Sequence, residues 1–208
     1  YGLSSYTRQT EGQGLIETII VLFRSFIVLI FGLSVSIIFA VRKCSRKNIL
    51  VVSLYFLILN SIQFVCWSMF GLDFTMKLYP FIIHLPNIMF ISLHFKRPWL
   101  ISISSTLTAY LCCQIPKWMG SVCGAILGGR FTEHIAYLIA MCVVFYFLKK
   151  YVVESALQLM ERSKRSCLLF GAVPLLYYLF DYATAVYTEL LYTGAPEAVQ
   201  FTPSVICT

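Results

Sequence analysis

The sequence predicts an all-α fold: a polytopic transmembrane helix bundle with six full spans, the start of a seventh, and the N-terminus outside. Three observations carry this. First, 59% of the 208 residues are hydrophobic, only 12% are charged, and mean hydropathy is +0.81. A soluble domain is nearer about 45–50% apolar and about 25% charged, so lipid must solvate much of this chain. Second, the apolar residues form long continuous runs with no strand-like alternation. A helix satisfies every backbone polar group within its own segment, which a bilayer interior demands. Third, basic residues concentrate in every other connection between the runs, the pattern that orients membrane helices.

The first span covers residues 15–41 and holds Arg24 in its first third. That charge pairs with Glu17 or Asp181, or snorkels to the outer interface. The second span covers 49–70. The third, 78–95, contains His84, Pro86 and Asn87. The fourth covers 99–115, the fifth 131–148 and the sixth 167–187; a seventh runs from about 198 to 208. These lengths approach the ~20 residues that cross about 30 Å of hydrocarbon. The stretch 117–130 has an apolar part too short to cross, and reads as a re-entrant or interfacial segment. Its Gly120, Gly124 and Gly128 recur every fourth residue, which gives either a smooth face for helix packing or a glycine-rich loop. Residues 149–166 are compatible with a short amphipathic helix or a continuation of the fifth span.

One alternate set of connections carries Arg42, Lys43, Arg46 and Lys47, then Lys96 and Arg97, then Lys149, Lys150, Arg162, Lys164 and Arg165. The other set carries only Arg8, Lys77, Lys117 and Arg130. The basic set is expected in the cytosol, and the protein in the plasma membrane as a multi-pass chain. The net charge of +7 therefore reports topology and contact with anionic headgroups. Nucleic-acid binding would need a basic face, and none is present. The chain begins at Tyr1 and stops at Thr208 within an apolar stretch, which suggests a piece of something longer.

The eight cysteines lie mostly within apolar runs, without metal spacing, and read as buried thiols acting as small hydrophobes. No nucleotide-binding, zinc-protease or calcium-loop motif occurs. A cysteine peptidase built from His94 with Cys112 or Cys113 is disfavoured, because the topology places these groups at opposite ends of the membrane. No catalytic or metal residue is therefore assigned.

Two constellations remain. His84, Pro86 and Asn87 place polar groups and a freed backbone carbonyl at mid-membrane, where each costs several kcal/mol unless satisfied. They make either a structural kink, hydrogen-bonded to a neighbouring Ser or to Gln63, or a small polar pocket. Tyr178 and Asp181 lie in the tyrosine-rich sixth span with Pro174, as part of an interfacial aromatic belt or of an extracellular ligand pocket. The candidate signal pocket is thus His84, Asn87, Tyr178 and Asp181. The candidate kink and packing residues are Pro86, Pro174, Gly120, Gly124 and Gly128.

The stretch LYPFIIHLPNIMFISLHFKRPWLISISSTLTAYLCCQIPKWMG, residues 78–120, resembles the N-terminal membrane domain of Firmicutes sensor histidine kinases of the GHKL type, loosely similar to Agr-type peptide receptors. The likeness extends through KKYVVESALQLMERSKRS and the sixth span. It implies a two-component sensory input module, homodimeric, with an unidentified signal ligand such as a peptide. It also implies a cytosolic kinase part beyond Thr208 that uses ATP and Mg²⁺ and phosphorylates a response regulator. The alternative is a transporter or permease fragment, although no internal repeat supports it.

Overall fold

The computed structural model describes residues 2–42 and 45–183, and all regular structure among them is helical. The helices are α1 (Gly2–Ala40), α2 (Arg46–Phe70), α3 (Leu72–Tyr79), α4 (Leu85–His94), α5 (Trp99–Leu127), α6 (Arg130–Phe147), α7 (Val153–Arg162) and α8 (Lys164–Asp181). Two π-helical turns join neighbours end to end: Pro80–His84 between α3 and α4, and Leu148–Val152 between α6 and α7. The expected seventh span at 198–208, and the end of the sixth beyond residue 183, lie outside the described residues.

Local chemistry sets the boundaries. Ser45 caps α2 by accepting a hydrogen bond from the Asn48 N–H at 3.3 Å, and Ser163 caps α8 through the Ser166 N–H at 3.0 Å. Gly71, at φ +80°, ends α2 and turns the chain into α3. Pro86 has no N–H to offer the Ile82 carbonyl. The chain absorbs this defect just upstream, where the Leu85 N–H reaches five residues back to the Pro80 carbonyl.

Four stretches among the described residues are long and apolar enough to cross a membrane: Leu22–Ala40, Arg46–Phe70, Phe74–His94 and Phe131–Arg162. α5 falls short because of Ser102, Ser104, Ser105, Thr106 and Thr108, all of them buried. Its position explains how it tolerates them. α5 is the central helix, packed by α1, α4, α6 and α8, so its hydroxyls meet protein where an outer helix would meet lipid. The small stripe also lets α8 come close, since a Cβ on Gly171 would lie within 2.4 Å of Ser104 Oγ. α8 opens on Lys164 and Arg165 and is only partly apolar.

The segment 117–130 departs from expectation. Nothing breaks at Pro116, and α5 continues through it to Leu127. Gly128 and Gly129, at φ +76° and +101°, then reverse the chain into α6. The reading of this stretch as a separate re-entrant or interfacial segment is therefore corrected to one long helix and a tight turn. The glycine face is real at two of its three positions. A Cβ on Gly120 would sit 2.9 Å from Tyr137 Cβ and 3.0 Å from the Glu133 carbonyl, and one on Gly124 would sit 2.8 Å from Glu133 Cβ. Gly128 has open space around it and serves the turn.

The main core joins Phe31, Val35 and Phe39 of α1 to Ile101, Ala109 and Cys112 of α5, Tyr137 and Met141 of α6, Leu157 of α7 and Cys167 of α8. A second cluster sets Leu29, Leu33 and Ile37 against Phe56, Leu59 and Ile83. Around these lies an apolar exterior, from Leu50 and Leu54 of α2 to Leu169 and Leu176 of α8. Soluble monomers rarely expose apolar patches beyond a few hundred Å². A surface of this kind suits a membrane protein.

Three connections converge at one end of the bundle. Glu161 of α7 accepts hydrogen bonds from Arg42, after α1, at 2.7 Å and from Arg97, between α4 and α5. Glu154 stands 3.8 Å from Arg42. The α7 helix lies against α1 and α8 through Ala156, Leu157 and Met160, while its charged residues face out. Residues 149–162 of the stretch 149–166 continue the fifth-span helix through a π-helical turn, and Lys164–Ser166 open α8.

Candidate functional site

The interior polar groups collect where the Pro80–His84 turn meets α5 and α8. The π-helical turn adds a residue to the helical circuit and directs His84 inward among aromatic rings. Its ring centre lies 5.1 Å from Tyr79, 5.3 Å from Tyr110, 5.3 Å from Tyr178 and 6.4 Å from Tyr182, all edge to face. His84 Nδ1 and the Tyr178 hydroxyl are hydrogen-bonded at 2.9 Å. The Tyr110 hydroxyl donates to the Asp181 carboxylate. Tyr110 and Tyr178 are 5.0 Å apart, and Tyr178 and Tyr182 are 4.6 Å apart. A histidine and a carboxylate are thus each held by a tyrosine, and the tyrosines touch.

One turn along α4 from His84 sits Asn87, buried to 5% exposure. Its amide donates to Ser36 Oγ of α1 at 3.1 Å and to Thr106 Oγ1 of α5 at 3.2 Å. Ser36 Oγ in turn donates to the Gly32 carbonyl at 2.8 Å. The Asn87 carbonyl oxygen is buried without a protein partner. Asn87 lines a cavity of about 60 Å³ together with Ser36, His84, Thr106 and Tyr110, within a mostly apolar wall. A cavity of this size has room for a water molecule beside these polar groups.

Of the four sequence-assigned pocket residues, His84, Tyr178 and Asp181 come together with Tyr110. Asn87 lies beside them, on the wall of the cavity that His84 also lines. Pro86 follows the π-helical turn. Pro174 is buried within α8, three residues before the buried Tyr177. Gln63, considered as a partner for the kink, belongs to α2, and its place is taken by Ser36 and Thr106. Tyr110 carried no signal in the sequence, because one tyrosine in an apolar run looks like any interfacial aromatic.

Arg24 has a partner that the sequence reading did not name. It pairs with Glu133 of α6 at 3.3 Å, approaches His134 Nδ1 at 3.4 Å and lies 4.5 Å over the Tyr137 ring. The glycine face of α5 explains this partner. Gly120 and Gly124 let α6 approach closely enough for Glu133 and Tyr137 to flank the α1–α5 seam. His94 stacks on Phe90 at 5.1 Å, at the end of α4 remote from His84.

Among the described residues, no group of three or more His, Cys, Asp or Glu side chains is placed to hold a metal ion. Chemically, the cluster offers hydrogen-bond donors, acceptors and aromatic faces in a dry setting. That combination suits recognition and conformational coupling. No family model matches the chain, and no curated protein or solved structure is significantly similar to it.

Proposed function

We propose that the chain is the membrane-embedded sensory input module of a signalling protein, of the kind that GHKL-type sensor histidine kinases carry. The observation that supports it best is the His84–Tyr178 and Tyr110–Asp181 pair of hydrogen bonds. Together they tie a π-helical turn to the central helix and to α8. In this reading the chain crosses the membrane six times with its N-terminus outside and enters a seventh span. The Arg42–Arg97–Glu161 end then faces the cytosol, where a kinase part with its ATP and Mg²⁺ follows.

The mechanism is a shift between two packings of the bundle. A ligand that competes for the Tyr178 or Asp181 hydrogen bonds favours the packing in which those bonds are exchanged. α8 leads into the C-terminal residues, so its displacement carries the signal onward. The ligand can move the equilibrium only by its differential affinity, and about 1.4 kcal/mol of difference shifts it tenfold.

The experiment is phosphotransfer from labelled ATP by the full-length protein in permeabilised membrane vesicles, which admit ATP and signal to both faces, with and without spent culture medium as the signal source. Signal-dependent labelling supports the reading. Vesicles that never label, while substrates accumulate in transport-competent vesicles, support the other reading. That second reading, a transporter, is favoured by one observation: the helix departs from α geometry at Pro80–His84 beside a small cavity that His84 and Asn87 line, and irregular helices form substrate sites in transporters.

A further inference from the structure

A groove of about 560 Å³ lies between the start of α5, the end of α7 and the start of α8. It shares no lining residue with the cavity beside Asn87. Its floor is apolar, built from Leu100, Ile101, Met160 and Cys167. Its rim is polar, built from Arg97, Glu161, Ser163 and Lys164, with the half-exposed indole of Trp99 beside them.

We propose that this groove binds the phosphate headgroup of an anionic phospholipid, with the acyl chains lying along α5 and α8. The charges favour an anion. Arg97 and Lys164 line the groove, against Glu161 alone, and Glu161 is already shared by Arg42 and Arg97. Arg162 and Arg165 lie close to Lys164 in the chain, and Lys164 forms no salt bridge among the described residues. The apolar half favours an amphiphile over a soluble ion. Beside the groove, Ile103 of α5 and Leu168 of α8 are exposed, so apolar surface adjoins it on both helices. Ser163 shapes the groove, because its extended backbone at φ −161° and ψ 156° separates α7 from α8. Basic clusters beside membrane helices attract anionic lipid in general. Here the walls give that attraction a defined seat.

The test uses the three tryptophans. A Trp67→Phe/Trp118→Phe variant leaves Trp99 as the only indole. It is reconstituted into phosphatidylcholine vesicles doped with brominated phosphatidylglycerol or brominated phosphatidylcholine. Seated phosphatidylglycerol quenches Trp99 at a mole fraction about fivefold lower than phosphatidylcholine does. Lys164→Glu removes that preference, and Lys164→Arg keeps it. Equal quenching by the two lipids overturns the proposal, as does a preference that survives Lys164→Glu. A preference abolished by millimolar inorganic phosphate also overturns it, since the site then holds free phosphate.

Discussion

At the scale of single residues, Asn87 shows how a polar group is tolerated inside the bundle. It spends its two N–H donors on α1 and α5, and it lines a small cavity. Replacing it with Ala deletes two interhelical hydrogen bonds, which in membranes contribute roughly 0.6 kcal/mol each, and enlarges the void. Asn87→Ala should lose about 1–2 kcal/mol in a detergent unfolding titration followed by circular dichroism. An unchanged midpoint would show that the tie contributes nothing. The sequence pointed to His84, Asn87, Tyr178 and Asp181 because polar groups in apolar runs stand out. It was silent on which of them meet. His84 and Tyr178 lie far apart in the chain, and only the packing of α8 on α5 joins them. Arg24 shows the converse, since any of several acids suited it and the glycine seam of α5 selected Glu133.

At the scale of helices, the α5–α6 hairpin rests on two glycines. A Cβ at Gly120 or Gly124 meets α6 atoms fixed to the backbone, so the helices must separate. Gly124→Ala should therefore destabilise by about 1–3 kcal/mol. It should also weaken the Arg24–Glu133 pair, seen as greater reactivity of a cysteine placed at Thr132. The spacing of these glycines was readable; that the helix runs unbroken through Pro116 was not. Helix α7 behaves differently. Hydrogen bonds from Arg97 and then Arg42 hold the Glu161 carboxyl below the usual carboxylate range, and Glu161 in turn raises Arg42. A lowered carboxylate pKa means that the contact stabilises at pH values above the ordinary value of about 4.3 and is lost as pH falls through the depressed one. Hydrogen-exchange protection of α7 should thus be constant near neutrality and drop below about pH 4. In Glu161→Gln it should be lower at neutral pH and flat across this window. A wild-type profile in the variant would remove Glu161 from the account.

At the scale of the whole molecule, the all-α class and the apolar exterior follow from composition and run length alone. Four of the expected spans correspond to stretches long and apolar enough to cross. The run at 99–115 is the instructive one. Its Ser and Thr residues make it weak as an isolated span, yet it is the central helix. Hydropathy measures each run against lipid, whereas α5 is solvated by its neighbours. The salt bridges of Arg42 and Arg97 to Glu161 place the basic connections at one end of the bundle, consistent with the alternation of loop charge. Cysteines introduced at Thr132 and Arg162 should then behave oppositely toward a membrane-impermeant maleimide on intact cells. Thr132→Cys should label directly, and Arg162→Cys only after permeabilisation.

The central claim is that the His84–Tyr178 and Tyr110–Asp181 contacts carry the response to a signal. It is tested most directly by the dose–response curve of the full-length protein's output to spent medium, comparing wild type with Tyr178→Phe and Asp181→Asn at matched surface expression. Loss of a hydrogen bond to a charged or buried partner, about 1.5–3 kcal/mol, predicts a half-maximal dose shifted by roughly 10- to 100-fold, or a response locked on or off. Curves for both variants that superimpose on wild type would contradict the account.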